Sequence, residues 1–205
     1  TEFQDLFLLA ENIRTKLIKG NRLAAMSGAG FEAVGMADSI QSDDFQMQLA
    51  SYSGATASKV GKVLVEKGLD KLVTISNPLD INPSADDEAH SEIVRALTYD
   101  GAVDAIVVGL DPLSPAMHTL DKTQVPAFSM DADNGIVRLL SEVVNNSDVP
   151  VIAVVDGGRL YDPFRDALLA KGIPTFPVCD RAVTSLSLYI ESRLYAESIR
   201  AGITP

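Results

Sequence analysis

The residues of this 205-residue chain whose types and spacing suggest chemistry begin with Ser27, Gly28, Ala29 and Gly30. They follow an apolar run, Leu23 to Met26, short enough to be a buried strand. They precede a segment with apolar residues at Phe31, Val34, Met36 and Ala37, which reads as a helix. Two glycines in a strand-to-helix turn let the backbone approach a ligand. The helix start beyond them presents unpaired amide hydrogens and a partial positive charge, which suits an anion. The same glycines also serve a tight connection with no ligand, and the motif alone leaves both readings open. A second stretch, Ser76 to Pro83, is stiffened by two prolines that bias Asn77 and Asn82 away from helix. It reads equally as a rigid connection or as a ligand loop. A third, Asp111 to His118, follows the most continuously apolar run of the chain and would lie at a strand's carboxyl end, where open parallel sheets place ligands.

Few other side chains offer themselves. His90 sits among Glu88, Ser91 and Glu92 and is expected on the surface. His118 is the better candidate of the two histidines, but no triad or metal spacing surrounds it. The lone Cys179 excludes an internal disulfide or a multi-cysteine metal site, fits a reducing cytoplasm and looks structural. No catalytic residue and no metal ligand is assigned in this chain. A formal net charge of -11 argues against a nucleic-acid partner, since there is no cationic surplus to displace counterions from phosphates. Hydrophobic residues at 46% and charged residues at 22% are ordinary globular usage. No stretch approaches the ~20 apolar residues of a membrane span. The chain starts at Thr1 rather than at Met, which reads as a piece of a longer protein.

The elements that must position these residues alternate. Residues 2–19 carry an amphipathic helix closed by Gly20, and a helix ahead of the first strand must pack on something, whether this sheet or a preceding domain. Residues 1–20 are therefore set apart as a leading helix, and residues 21–200 as the main domain. After the first strand and helix come a weak strand at 46–52, a helix from Ser53 to a stop at Gly68, and a short strand at Leu72–Ile75. A helix follows from a capping box at Ser84 and Asp87, then a central strand at Val103–Leu110. Beyond an irregular stretch lie a helix through Ile136 to Val143, a strand at Val151–Val155, a helix from Asp162-Pro163 to Gly172, a strand at Pro174–Val178, and a long helix capped by Asp180. Strands alternating with helices imply a parallel sheet with right-handed crossovers. The fold class is α/β, a three-layer flavodoxin-like sandwich on a five-stranded, mainly parallel sheet of order 2-1-3-4-5.

Several stretches, in order, resemble a known family: Ser27-Gly28-Ala29-Gly30 with Asp38, Asn77-Pro78-Leu79-Asp80 before a helix, Val103 to Val108, Val149 to Val154, and Gly172-Ile173-Pro174. Over residues 22–194 the chain is similar to the carboxyl-terminal flavodoxin-like domain of the NDP-forming acyl-CoA synthetases, which include ADP-forming acetate-CoA ligase. It is also similar to the corresponding part of the succinyl-CoA synthetase β subunit. The resemblance implies a reaction of an acid, CoA and a nucleoside triphosphate through an acyl phosphate and a phosphohistidine. In that scheme, two helices from different flavodoxin-like domains point their N-termini at the phosphorylated imidazole.

By resemblance, Ser27, Gly28, Ala29, Gly30 and Phe31 would serve the phosphoryl group, with Asn77, Pro112, Leu113 and Ser114 near the acyl site. Phe31 and Glu32 depart from the family's glycine-rich turn, so either Glu32 turns away or the phosphate role is lost. Neither histidine stands in the family's Ser-His-Thr-Gly-like context. The chain is expected to be inactive alone, binding no cofactor tightly. ATP or GTP with Mg, CoA and a carboxylic acid substrate are implied for the complete enzyme, as are a CoA-binding and phosphohistidine domain and an ATP-grasp domain as partners. A homo-oligomer stays open. A non-catalytic binding or regulatory module of the same fold is the alternative. An FMN carrier fits poorly, lacking a hydroxyl-rich phosphate loop and any Trp. A response-regulator receiver lacks the acidic pair after the first strand.

Overall fold

The computed structural model describes residues 2–40 and 47–203. Its sheet is built on β1 (Arg22–Ser27), flanked by β2 (Gln48–Leu49) and β4 (Ala105–Gly109), and continues through β5 (Val151–Val154) to β6 (Thr175–Phe176). The order β2-β1-β4-β5-β6 is the expected doubly wound arrangement, and every pairing is parallel. A sixth, two-residue strand, β3 (Leu79–Asp80), pairs with the carboxyl end of β1 through Met26 and Ser27.

Continuous apolar runs become central strands because both faces are covered. Leu23, Ala25, Val107, Ile152 and Val154 face α1 (Glu2–Ile13), α2 (Gly30–Asp38) and α7 (Cys179–Arg200), packing with Leu9, Met36, Val183 and Leu186. Ala24, Met26, Ile106, Val108 and Ala153 face the other layer: α3 (Gly54–Glu66), α4 (Asp87–Thr98), α5 (Ile136–Asn145) and α6 (Asp162–Ala170). The leading helix is shorter than its apolar spacing suggests. It buries Leu9 and Ile13 in this core, and its Asp5 is gripped by Arg181 of α7.

Gly20 does not close the first helix, which ends at Ile13, but the glycine stops of α3 and α6 are where expected. Gly68 and Gly172 adopt φ of +69° and +79°, and the following residues, Leu69 and Ile173, donate back to Leu64 O and Leu168 O, closing α3 and α6. Ser53 caps α3 by accepting from Thr56 N–H.

Four expectations are corrected. Leu72–Ile75 forms no strand: Leu72 is 64% exposed, and the flank of β1 is instead filled by the Asn77 side chain and then by β3. The start of α4 is capped by Asp86, whose carboxylate accepts Ala89 N–H, rather than by Ser84. At α7 the cap position is Val178, with Asp180 inside the first turn. His90 is not at the surface but is 1% exposed. It shares the inward stripe of α4 with Ile93, Val94 and Leu97, which recur at three-, four- and seven-residue spacing. In the weak strand foreseen at 46–52, residue 46 lies outside the described residues and only Gln48–Leu49 pair.

Candidate functional site

The turn from β1 into α2 lies at the carboxyl edge of the sheet between β1 and β4, where the chain's winding reverses from one side to the other. This is the crevice in which doubly wound sheets bind ligands. Ser27 is fully buried, and its hydroxyl is spent within the turn: Oγ accepts Ala29 N–H at 2.9 Å and donates to Glu32 Oε2 at 2.6 Å. Ala29 is the extended cap residue of α2 and supplies no side-chain cap. The amides of Gly30 and Phe31 have no acceptor among the described residues. Those two donors are what the turn offers to an anion. Phe31 stands beside them 75% exposed.

Glu32 turns inward. It is 4% exposed, and its carboxylate lies over Gly109, where an added Cβ would come within 1.7 Å of Oε2. The glycine in β4 is what gives this side chain room. Burial raises the Glu32 pKa from an ordinary 4.5 to about 7, against the Ser27 hydrogen bond, which lowers it; Asp156 and Asp111 add smaller upward pushes.

A cavity of about 160 Å³ opens beside the turn, between Ala29, Phe31 and Glu32 on one side and Leu110 to Leu113 with Asp156 on the other. Gly157 lets the loop after β5 close against Pro112, where a Cβ would meet the proline ring at 3.0 Å. Asp80, the last residue of β3, also reaches the helix start, since its Oδ2 would lie 2.6 Å from a Cβ at Gly30.

The structure brings Ser27, Ala29, Gly30, Phe31, Pro112 and Leu113 together and sends Ser114 and Asn77 elsewhere. Ser114 Oγ donates to Pro83 O. Asn77 completes the sheet: its amide nitrogen donates to Leu23 O and Ala50 O, and its oxygen accepts Ala25 N–H. Gly28 is buried above the His90 ring, whose Nε2 would lie 3.6 Å from an added Cβ. His90 Nδ1 is bonded to Asp86 O, Nε2 has no partner, and burial lowers the pKa of the ring. Sequence reasoning missed Asp80, Asp111 and Asp156 as neighbours of the turn. Asp111 and Asp156 share a signal, an aspartate just past an apolar strand, whereas Asp80 ends the short β3.

Elsewhere, Cys179 packs at the start of α7 against Gly35, with its thiol pushed up by burial and by nearby Glu32 and Asp180. Among the described residues no group of three His, Cys, Asp or Glu could hold a metal ion, and no helix is long and apolar enough to cross a membrane.

No family model matches the chain. It is 27% identical over 173 residues to the alpha subunit of acetate–CoA ligase [ADP-forming] II of Pyrococcus furiosus, covering 84% of this chain and 34% of that protein. In fold it is similar to the dinucleotide-forming acetyl-coenzyme A synthetase 1 of Ca. Korarchaeum cryptofilum. The TM-score is 0.70 at 19% identity for the form solved with phosphate and ADP, over 98% of this chain and 40% of that one. The apo form gives 0.69 over 97% and 39%. A Pyrococcus horikoshii OT3 protein matches with a TM-score of 0.67 at 24% identity, over 92% and 40%. The chain thus spans about a third of the curated relative and two fifths of the solved ones. Over most of its length the chain is thus similar in sequence to a subunit of an ADP-forming acetate–CoA ligase, and it shares its fold with solved acetyl-coenzyme A synthetase structures.

Proposed function

We propose that this domain serves a larger NDP-forming acid–CoA ligase by offering the N-terminus of α2 to a phosphoryl group carried on a partner domain, and that it is inactive alone. One observation carries this reading: Gly30 and Phe31 present two adjacent uncapped amides at the switch-point crevice, where no side chain of the turn takes them. Fixed donors and a helix dipole act most strongly on charge that is kept from water. The inward turn of Glu32 agrees with it, because a carboxylate aimed outward from the first turn would compete for the same donors. One relative of this fold was solved with phosphate and ADP.

The implied partners are a phosphohistidine and CoA-binding domain and an ATP-grasp domain of the same ligase, with ATP or GTP, Mg and a carboxylic acid as reactants. Asp80, Asp111 and Asp156 around the turn favour a second reading, a non-catalytic module of the same fold whose phosphate role is lost.

One substitution pair separates the two. Ala29 is already extended, as a residue before proline must be, and proline suits a first helical position, so Gly30→Pro deletes one amide donor with the backbone in place. Gly30→Ala presses on Asp80 in the same way and keeps the donor. In the complete ligase, phosphoryl transfer falls about 10²-fold in the proline variant relative to the alanine variant, the cost of one oxyanion donor. Equal rates in the two variants refute the role. Turnover of acid, CoA and ATP by the isolated chain would refute its dependence on partners.

A further inference from the structure

Across the sheet from α2, the starts of α4 and α5 meet a histidine that the site above does not use. Asp87 is 2% exposed in the first turn of α4. Its carboxylate accepts Ile136 N–H at 2.6 Å, His118 N–H at 3.2 Å and His118 Nδ1–H at 2.8 Å. Three donors from two separate segments fix both the carboxylate and the ring. With Nδ1 donating, the neutral ring carries its lone pair on Nε2, and this atom has no partner among the described residues. A carboxylate-oriented imidazole with its other nitrogen free is an arrangement that accepts a hydrogen bond or a proton.

The ring does not face bulk protein. It lines a cavity of about 330 Å³ with Asp86, Glu88, Asn134 and Leu139. Lys67 bridges Asp86 Oδ2 and Glu88 Oε2, and Asp86 Oδ1 is taken by Ala89 N–H, so the carboxylate oxygen still open on this wall is Glu88 Oε1. Two carboxylates against one lysine leave the rim negative, in a chain of net charge -11. Such a wall repels anions and attracts a small cation. Leu139 supplies an apolar patch for a short methylene stem.

We propose that this cavity binds a small amino alcohol as its ammonium form, the ammonium on Glu88 and the hydroxyl donating to His118 Nε2, with Asp87 as the positioning residue. The site is separate from the α2 turn and does not depend on phosphoryl chemistry.

The chain has only two histidines, which makes the ring nitrogens directly readable. Long-range ¹H–¹⁵N NMR of the whole chain, titrated with ethanolamine hydrochloride at constant ionic strength, should show the Nδ1–H tautomer at His118 and a saturable shift of its Nε2, with His90 unmoved. His118→Ala should weaken binding, followed at Asn134 and Leu139, by at least about tenfold, the order of one lost hydrogen bond to a charged or polar partner. Glu88→Gln, at an exposed position, should weaken it while leaving the tautomer intact. No saturable shift, an equal shift from sodium acetate, or unchanged affinity in both variants overturns the proposal.

Discussion

Glu32→Gln isolates a carboxyl group that the fold holds in an unfavourable state at neutral pH. Glu32 titrates at about 7 in the folded chain and at 4.5 when free of it, and burial is the main cause. Between those pH values the folded chain keeps a proton that the unfolded chain has released, so stability falls as pH rises through this window. Below about 4.5 both states hold the proton and nothing is lost; above about 7 the loss is complete. At roughly 1.36 kcal/mol per pH unit, the full span amounts to about 3 kcal/mol. Glutamine cannot ionise and keeps an oxygen to accept the Ser27 hydroxyl, so the variant should lack this loss.

The assay is urea unfolding of both chains at half-unit steps from pH 4.5 to 8, read as the difference in unfolding free energy. All other titrating groups are common to the pair and drop out of that difference. It should start near zero and rise in favour of the variant by about 3 kcal/mol, with its midpoint near pH 6. A difference that stays flat over the range would refute the claim that Glu32 is buried, inward and destabilised when charged.

Two further substitutions test the supports of the same edge. Asn77→Ala strips three backbone groups, Leu23 O, Ala25 N–H and Ala50 O, of their partner and should lower unfolding free energy by about 2–4 kcal/mol in urea, the cost of leaving buried polar groups unpaired. Gly109→Ala drives a methyl into Glu32 Oε2 and Ser27 Oγ and should cost about 3 kcal/mol by overpacking, with part of the loss restored in the Gly109→Ala/Glu32→Ala double variant.

The layers were legible because the central strands are apolar on both faces and the helices end in glycine at Gly68 and Gly172. Misread segments are those in which a side chain does a backbone's work. Leu72–Ile75 has strand-like residues, but the hydrogen bonds beside β1 are made by the Asn77 amide five residues past its start, and no propensity encodes that substitution. His90 was readable in principle, since its spacing to Ile93, Val94 and Leu97 marks the buried stripe; the charged neighbours Glu88 and Glu92 lie on the other faces of the same helix. The His118–Asp87 pair is 31 residues apart in sequence and is created only when the loop after β4 folds back over α4 and α5. The α2 turn was found from its glycines, but the direction of Glu32 was not, because it depends on Gly109 in another strand.

The charge around that turn bears on which anion it could accept. Of the first amides, Ala29 N–H is committed to Ser27, leaving Gly30 and Phe31. Facing them are Asp80, Asp111 and Asp156, with Glu32 ionised in about half the molecules near pH 7. Two amides and a helix dipole, together equivalent to about half a positive charge, do not offset that many carboxylates. Free phosphate would therefore gain little here. A phosphoryl group attached to an imidazole and accompanied by the positive groups of a partner domain would bring its own compensation. On the proposed reading, the weakness of the isolated turn toward free anions and the inactivity of the isolated chain share one physical cause: this edge supplies direction to a phosphoryl group, and the neutralising charge must arrive with it.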